Sequence, residues 1–258
     1  MLTAVLSGKR RGTGFAGKQL LLGTTEGAED VLTSTVFERL SYLPESVFSS
    51  FINHLFMSED ELGVIEDIES WPSWKFENRR VEPDVVLYCT KRTVLIEAKR
   101  HDNSWQQYSE QLARELKAGM RLEELGDNPI LLTIGGLQDY SDKKVHDLWV
   151  SINKALGNHS YDYTLICRSW YQLSQALLSA ISEADHIEPG LQRLWSDIVA
   201  TYKWHGLRTQ IQCRLGELLP VSIQSDHFPV HQFRSAFDDP FLKKNQIDEI
   251  PAVPFVYP

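Results

Sequence analysis

Asp84, Glu97 and Lys99 are the side chains whose types and spacing are suited to chemistry. They sit in Pro83-Asp84-Val85-Val86-Leu87-Tyr88-Cys89, a turn at Lys91-Arg92, and Val94-Leu95-Ile96-Glu97-Ala98-Lys99. Both runs are rich in Val, Ile, Leu and Tyr, which predicts a β-hairpin with strands near Asp84 to Cys89 and Thr93 to Lys99. Side chains two apart on a strand share a face, so Glu97 and Lys99 project together while Ile96 and Ala98 face the other way. The tight turn brings the Asp84 end beside the Lys99 end, so two carboxylates and an ammonium converge on an otherwise apolar hairpin. Buried charges without partners are costly, and a neutralising group is therefore expected there. Magnesium fits that role: it prefers oxygen ligands and keeps waters, so two carboxylates and one backbone carbonyl suffice. Such a cation polarises a phosphoryl oxygen and lowers the pKa of a bound water.

The hairpin resembles the PD-(D/E)XK nuclease superfamily, with Pro83-Asp84 as the first half of the motif and Glu97-Ala98-Lys99 as the second. The resemblance spans about residues 27–136. It implies a restriction-endonuclease-like αβββαβ core and metal-dependent hydrolysis of phosphodiester bonds. Asp84, Glu97 and the Ala98 carbonyl would hold Mg2+, for which Mn2+ can substitute, and Lys99 would be the catalytic lysine. The superfamily often adds an acidic residue from the first helix, here Glu29 or Glu38. Counting ~100° per residue from Glu29, the apolar Leu32, Val36, Leu40 and Leu43 fall within about 60° of it, whereas Glu38 lands at roughly 180°. Glu29 is thus the expected additional ligand, with a first-turn helix-dipole role as its alternative. Related nucleases also place a glutamine on the helix after the hairpin to hold water or phosphate. Gln111 is the first choice and Gln107 the second, although the Gln-x-x-x-Tyr spacing of the RecB-like subgroup is absent.

These residues need a scaffold, and hydrophobic periodicity outlines one. Helices are expected over Gly27 to Leu43, ending at Pro44, and over Glu45 to Phe56. An acidic loop from Ser58 to Glu69 and a short strand at Trp74 to Asn78 precede the hairpin. A long helix follows from Ser104 to Leu125, with Trp105, Tyr108, Leu112, Leu116 and Met120 in phase. Then come a buried strand at Pro129 to Ile134, a helix at Lys143 to Ala155, a strand at Tyr161 to Cys167, and helices at Trp170 to Ala184 and Pro189 to Lys203. The fold expected is α/β, a mixed central sheet flanked by helices, with a nuclease-like domain over 1–168 and a helical extension over 169–258. The stretch from Asp238 to Pro258 holds four of the chain's prolines and reads as an extended tail that packs on something or binds something.

Composition narrows the partners. A net charge of −9 argues against coating nucleic acid by bulk electrostatics, but leaves room for a local cationic groove built from Lys9-Arg10-Arg11, Arg79-Arg80, Lys91-Arg92 and Lys99-Arg100. Three widely spaced cysteines support neither a disulfide framework nor a zinc cluster. The opening apolar run, Met1 to Leu6, is too short for a signal or a membrane span, so a cytoplasmic protein without a membrane partner is expected. Gly12 to Lys18 has P-loop spacing, yet Gln19 stands where magnesium needs Ser or Thr. Proline between His227 and His231 argues against a helical zinc pair. His101 reads as a solvent-exposed residue near the hairpin, and Trp71 and Trp74 as core residues or base-stacking ones. The function expected is that of a DNA endonuclease, with RNA left open, in a restriction or phage-defence setting. A homodimer, or a partner subunit docked through the C-terminal region, is in keeping with two-strand cleavage. The alternatives are a non-cleaving nucleic-acid-binding or assembly subunit that retains the fold, and a structural interaction protein.

Overall fold

The structure, a computed structural model, describes residues 28–58, 62–157, 161–184 and 189–209. The cationic triplet at 9–11, the glycine-rich segment 12–18, Cys213, the His227/His231 pair and the proline-rich tail lie outside the described residues. Helices α1 (Ala28–Leu40) and α2 (Glu45–Phe56) come first. Strand β1 (Ile65–Ser70) and the small hairpin β2 (Trp74–Phe76) and β3 (Arg79–Val81) follow. The main hairpin is β4 (Val85–Cys89) and β5 (Val94–Ala98). Then come α3 (Ser109–Arg121), β6 (Ile130–Ile134), α4 (Asp142–Leu156), β7 (Thr164–Arg168), α5 (Trp170–Glu183) and α6 (Pro189–His205).

Five strands form a mixed sheet in the order β1-β4-β5-β6-β7. The β1–β4 and β4–β5 pairs are antiparallel, whereas β5–β6 and β6–β7 are parallel. Parallel neighbours need a crossover, and α3 and α4 supply the two. All residues of β5 and β6 are buried, as strands covered on both faces must be. Alternation splits the core in two. Val85, Leu87, Val94, Ile96, Ala98, Ile130 and Leu132 pack with α1, α2, α5 and α6. Val86, Leu95 and Leu131 pack with α3, α4 and the Trp74 and Val81 side chains. The result is an α/β protein whose central sheet is flanked by helices.

Several elements differ from expectation, each for a physical reason. The acidic loop expected over 58–69 contains β1, an edge strand whose register shifts between Ile65 and Asp67. That bulge breaks the alternation that would have announced a strand, and acidic residues on an edge guard it against further pairing. The short strand at Trp74 ends at Phe76 and pairs with β3, whose turn residues Glu77 and Asn78 have φ of 48° and 60°. Two left-handed residues in succession suit a two-residue hairpin turn. The helix expected from Ser104 begins only at Ser109. Before it, the backbone amides of Gln106 and Gln107 donate to the Gly136 carbonyl, so this segment is tied to the β6 exit and leaves Trp105 and Tyr108 exposed. The helices expected as an extension after residue 168 share the core: Trp170, Leu173, Leu177, Ile198 and Tyr202 pack against the same sheet face as α1 and α2. No helix among the described residues is long and apolar enough to cross a membrane.

Candidate active site

The site forms at the carboxyl end of β5, where the strand direction of the sheet changes from antiparallel to parallel. Val85 pairs with Ile96, so Asp84, one residue earlier, stands opposite Glu97. Its Oδ2 accepts the Ala98 amide at 2.9 Å and its Oδ1 accepts the Trp71 indole at 3.3 Å. Trp71 is buried rather than presented for base stacking, and its φ of 51° is an uncommon conformation for a bulky residue. Its amide donates to the Asp84 carbonyl, so Trp71 grips Asp84 by both backbone and side chain. Trp74 is likewise buried.

Glu97 is 2% exposed, on the α3 side of the sheet. Its Oε1 accepts the Lys99 ammonium at 2.5 Å and the Gln111 side-chain amide at 2.7 Å, while its Oε2 is buried without a partner. The Lys99 Nζ also reaches Glu29 Oε1 at 3.4 Å. Glu29 Oε2 accepts the Arg100 amide at 2.9 Å. The first-helix glutamate chosen by phase is therefore brought to the site, where it holds Lys99 and the Arg100 backbone. Gln107 lies outside α3 and donates to the carbonyls of Glu97 and Gly135, a backbone-bracing position. His101 is exposed, Arg100 is buried, and Arg92 braces Asn128 and Thr164, so only part of the expected cationic pairs faces solvent.

Sequence reasoning missed Glu115. It lies one helical turn after Gln111 on α3, is 2% exposed, and its Oε1 accepts the same Gln111 amide nitrogen at 2.9 Å. Its neighbours in the stripe are Leu112 and Leu116, so the phase test that selected Glu29 would also have found it. Gly135 and Gly136 are the other unread parts. Their φ values are +69° and +71°, and a Cβ on Gly135 would lie 2.1 Å from the Lys99 carbonyl oxygen. Only glycines let the β6 exit approach Lys99 this closely.

Four carboxylates, from Glu29, Asp84, Glu97 and Glu115, surround the one ammonium of Lys99. Burial, then the Glu97 charge, holds the Asp84 carboxyl well above the usual carboxylate range. Burial and then Glu115 push Glu97 up to about 8. Burial pushes Glu115 up to about 7, opposed by its bond from Gln111. For Lys99, burial disfavours the charge, but Glu97 and Glu29 outweigh it and the pKa rises above that of an ordinary lysine. With all four carboxyls ionised the arrangement would carry excess negative charge, so burial holds protons on them, and every potential ligand atom is an oxygen. Among the described residues, no group of three or more His, Cys, Asp or Glu side chains is placed to hold a metal ion.

Fold and site together define an α/β protein with a carboxylate–lysine cluster where its sheet turns parallel. The chain belongs to the same family as the uncharacterized protein PM0110 of Pasteurella multocida (strain Pm70), with which it is 46% identical over 211 residues, 81% of either chain. No family model and no solved structure matches it.

Proposed function

We propose that this chain is a divalent-metal-dependent nuclease with a restriction-endonuclease-like core, and that it cuts DNA internally. The observation that carries the reading is the convergence of Asp84, Glu97 and Lys99 at one sheet end, with Gln111 bonded to Glu97 from the following helix. With α2 and the small β2–β3 hairpin set aside as insertions, the order α1, β1, β4, β5, α3, β6 supports it, since it follows the αβββαβ succession implied by the resemblance. The donors fit a hard cation: they are oxygens, they outnumber the local positive charge, and Glu97 keeps one buried oxygen without a partner. Asp84 and Glu97, with the Ala98 carbonyl, would hold Mg2+ or Mn2+. When bound, the metal would polarise the phosphoryl group and make its water more acidic.

The side chains then have distinct tasks. Lys99 stays an ammonium at neutral pH, so it orients the attacking water and offsets charge developing on the phosphorane rather than acting as a base. Gln111 fixes the rotamer of Glu97 and Glu29 steadies Lys99. Asp84 is positioned by Trp71 and the Ala98 amide. A second reading, a non-cleaving nucleic-acid-binding subunit, is favoured by one feature: both Asp84 oxygens already have protein donors.

Supercoiled, linear and single-stranded DNA, and RNA, incubated with Mg2+ or Mn2+ and the purified protein separate these readings. Metal-dependent nicking or linearisation, lowered on the order of 10²–10³-fold or more in Asp84→Ala and Lys99→Ala, is the expected result. A wild type that binds DNA without cutting any of these substrates, with binding unaffected by chelator, overturns the nuclease reading in favour of the second.

A further inference from the structure

The carboxylate oxygens of the cluster differ in how many protein donors they already have. Glu29 gives one oxygen to Lys99 and the other to the Arg100 amide. Asp84 gives one to the Ala98 amide and one to the Trp71 indole. Glu97 Oε1 receives both Lys99 and Gln111. Glu97 Oε2 and Glu115 Oε2, by contrast, are both shielded from solvent and both without a hydrogen-bond partner.

These two oxygens belong to neighbouring groups. The Gln111 amide nitrogen donates to Oε1 of Glu97 and to Oε1 of Glu115, so one side chain holds two carboxylates side by side by their first oxygens. Two glutamates, each 2% exposed, with an acceptor atom apiece left unused, make a poor structural device. A buried acceptor without a partner is costly, and two adjacent anions repel. A hard divalent cation removes both penalties at once, since Mg2+ or Mn2+ takes one or two carboxylates and completes its shell with water.

We infer that Glu115 is a metal ligand, and that Glu97 and Glu115 together hold a divalent cation through their second oxygens on the α3 side of Glu97. This rests on the proposed nuclease site and changes its make-up. Gln111 aligns the ligand pair, and Glu29 positions Lys99 without contacting the metal. The alternative occupant of the pair is a shared proton, which would satisfy the same oxygens with no metal.

Mn2+ binding decides, followed by the loss of the free-ion electron paramagnetic resonance signal at pH 8 in the full-length protein, with no nucleic acid present. Wild type is expected to bind Mn2+ and to gain thermal stability from it. Glu115→Gln, nearly isosteric and relieved of one buried charge, should fold, bind Mn2+ at least tenfold more weakly, and lose the Mn2+-induced rise in Tm. Glu29→Gln should change the affinity less than threefold. Glu115→Asp, which keeps a carboxylate, should fall between wild type and Glu115→Gln, and it serves should Glu115→Gln not fold. Wild-type affinity in Glu115→Gln, or no Mn2+ binding by wild type, overturns the inference. The plasmid assay separates the two claims. Mn2+ bound through Glu115 without cleavage of any substrate leaves the inference standing and removes the nuclease reading. Cleavage with Mn2+ binding indifferent to Glu115 does the reverse.

Discussion

Glu97 and Glu115 bind protons more tightly in the folded chain than in the unfolded one, since burial lifts them from the ordinary 4.5 to about 8 and about 7. For a carboxyl whose folded pKa is raised, the stabilising contribution is complete below the unfolded value and is lost as pH rises through the folded one. Asp84, also raised, adds to the same trend. In chelator, Tm should therefore fall as pH climbs from about 5 to about 8. A divalent cation binds the ionised forms, so Mn2+ should raise Tm more at pH 8 than at pH 6. Glu97→Gln should flatten the chelator curve. Scanning calorimetry across that range checks it, and a Tm in chelator that rises with pH would refute the charge assignment. Lys99 lies outside this window, because its pKa is raised above that of an ordinary lysine and its ammonium does not titrate below pH 8.

At the scale of elements, the hairpin was readable and its supports were not. Asp84, Glu97 and Lys99 could be placed from sequence because a period of two and a tight turn leave one geometry, and β4 and β5 adopt it. The phase of α1 likewise brought Glu29 to the site. Glu115 was overlooked because, among Glu110, Arg114 and Lys117, it resembles one more surface charge until its helical phase with Leu112 and Leu116 is counted. The turn after β6 was equally silent: Gly135-Gly136 marks a strand end, but nothing local tells that Lys99 passes beside it. That contact yields a test. Gly135→Ala sets a Cβ 2.1 Å from the Lys99 carbonyl oxygen at a φ of +69°. Gly126→Ala meets nothing within 4 Å at a nearly equal φ of +65°. The Gly126 variant should lose only the left-handed penalty, about 1–2 kcal/mol. Gly135→Ala should lose more in urea denaturation and should also depress cleavage, because relief of the clash displaces Lys99. Equal losses would mean that the β6 exit does not position the lysine.

For the whole molecule, the site depends on helices that look dispensable in sequence. The Trp170 side chain is fully buried and its indole donates to the Lys99 carbonyl at 2.7 Å. The α5 start is held in turn from the site side: Asp102 accepts the Trp170 and Tyr171 amides at 2.7 Å and 3.2 Å, beside a capping box formed by Ser169 and Gln172. The Tyr202 hydroxyl of α6 closes the chain of contacts on the Trp170 carbonyl at 2.9 Å. The residues just after β5 and the first turn of α5 thus brace one another, and α5 covers part of the sheet face that carries Ile96 and Ala98. A chain ended at residue 168 would uncover the part of that face packed on α5 and α6 and leave the Lys99 carbonyl without its indole donor, so it should show no cooperative unfolding transition. Trp170→Phe isolates the polar part of the effect. It keeps a large aromatic ring in the core but deletes the indole donor, which should cost about 1–3 kcal/mol for the buried carbonyl left unpaired. If Lys99 is aimed through its backbone, that variant should also lower kcat more than it changes KM, at temperatures where it remains folded. Loss of stability with an unchanged kcat would confine Trp170 to packing, and the α5–α6 layer would then support the sheet without setting the geometry of the site.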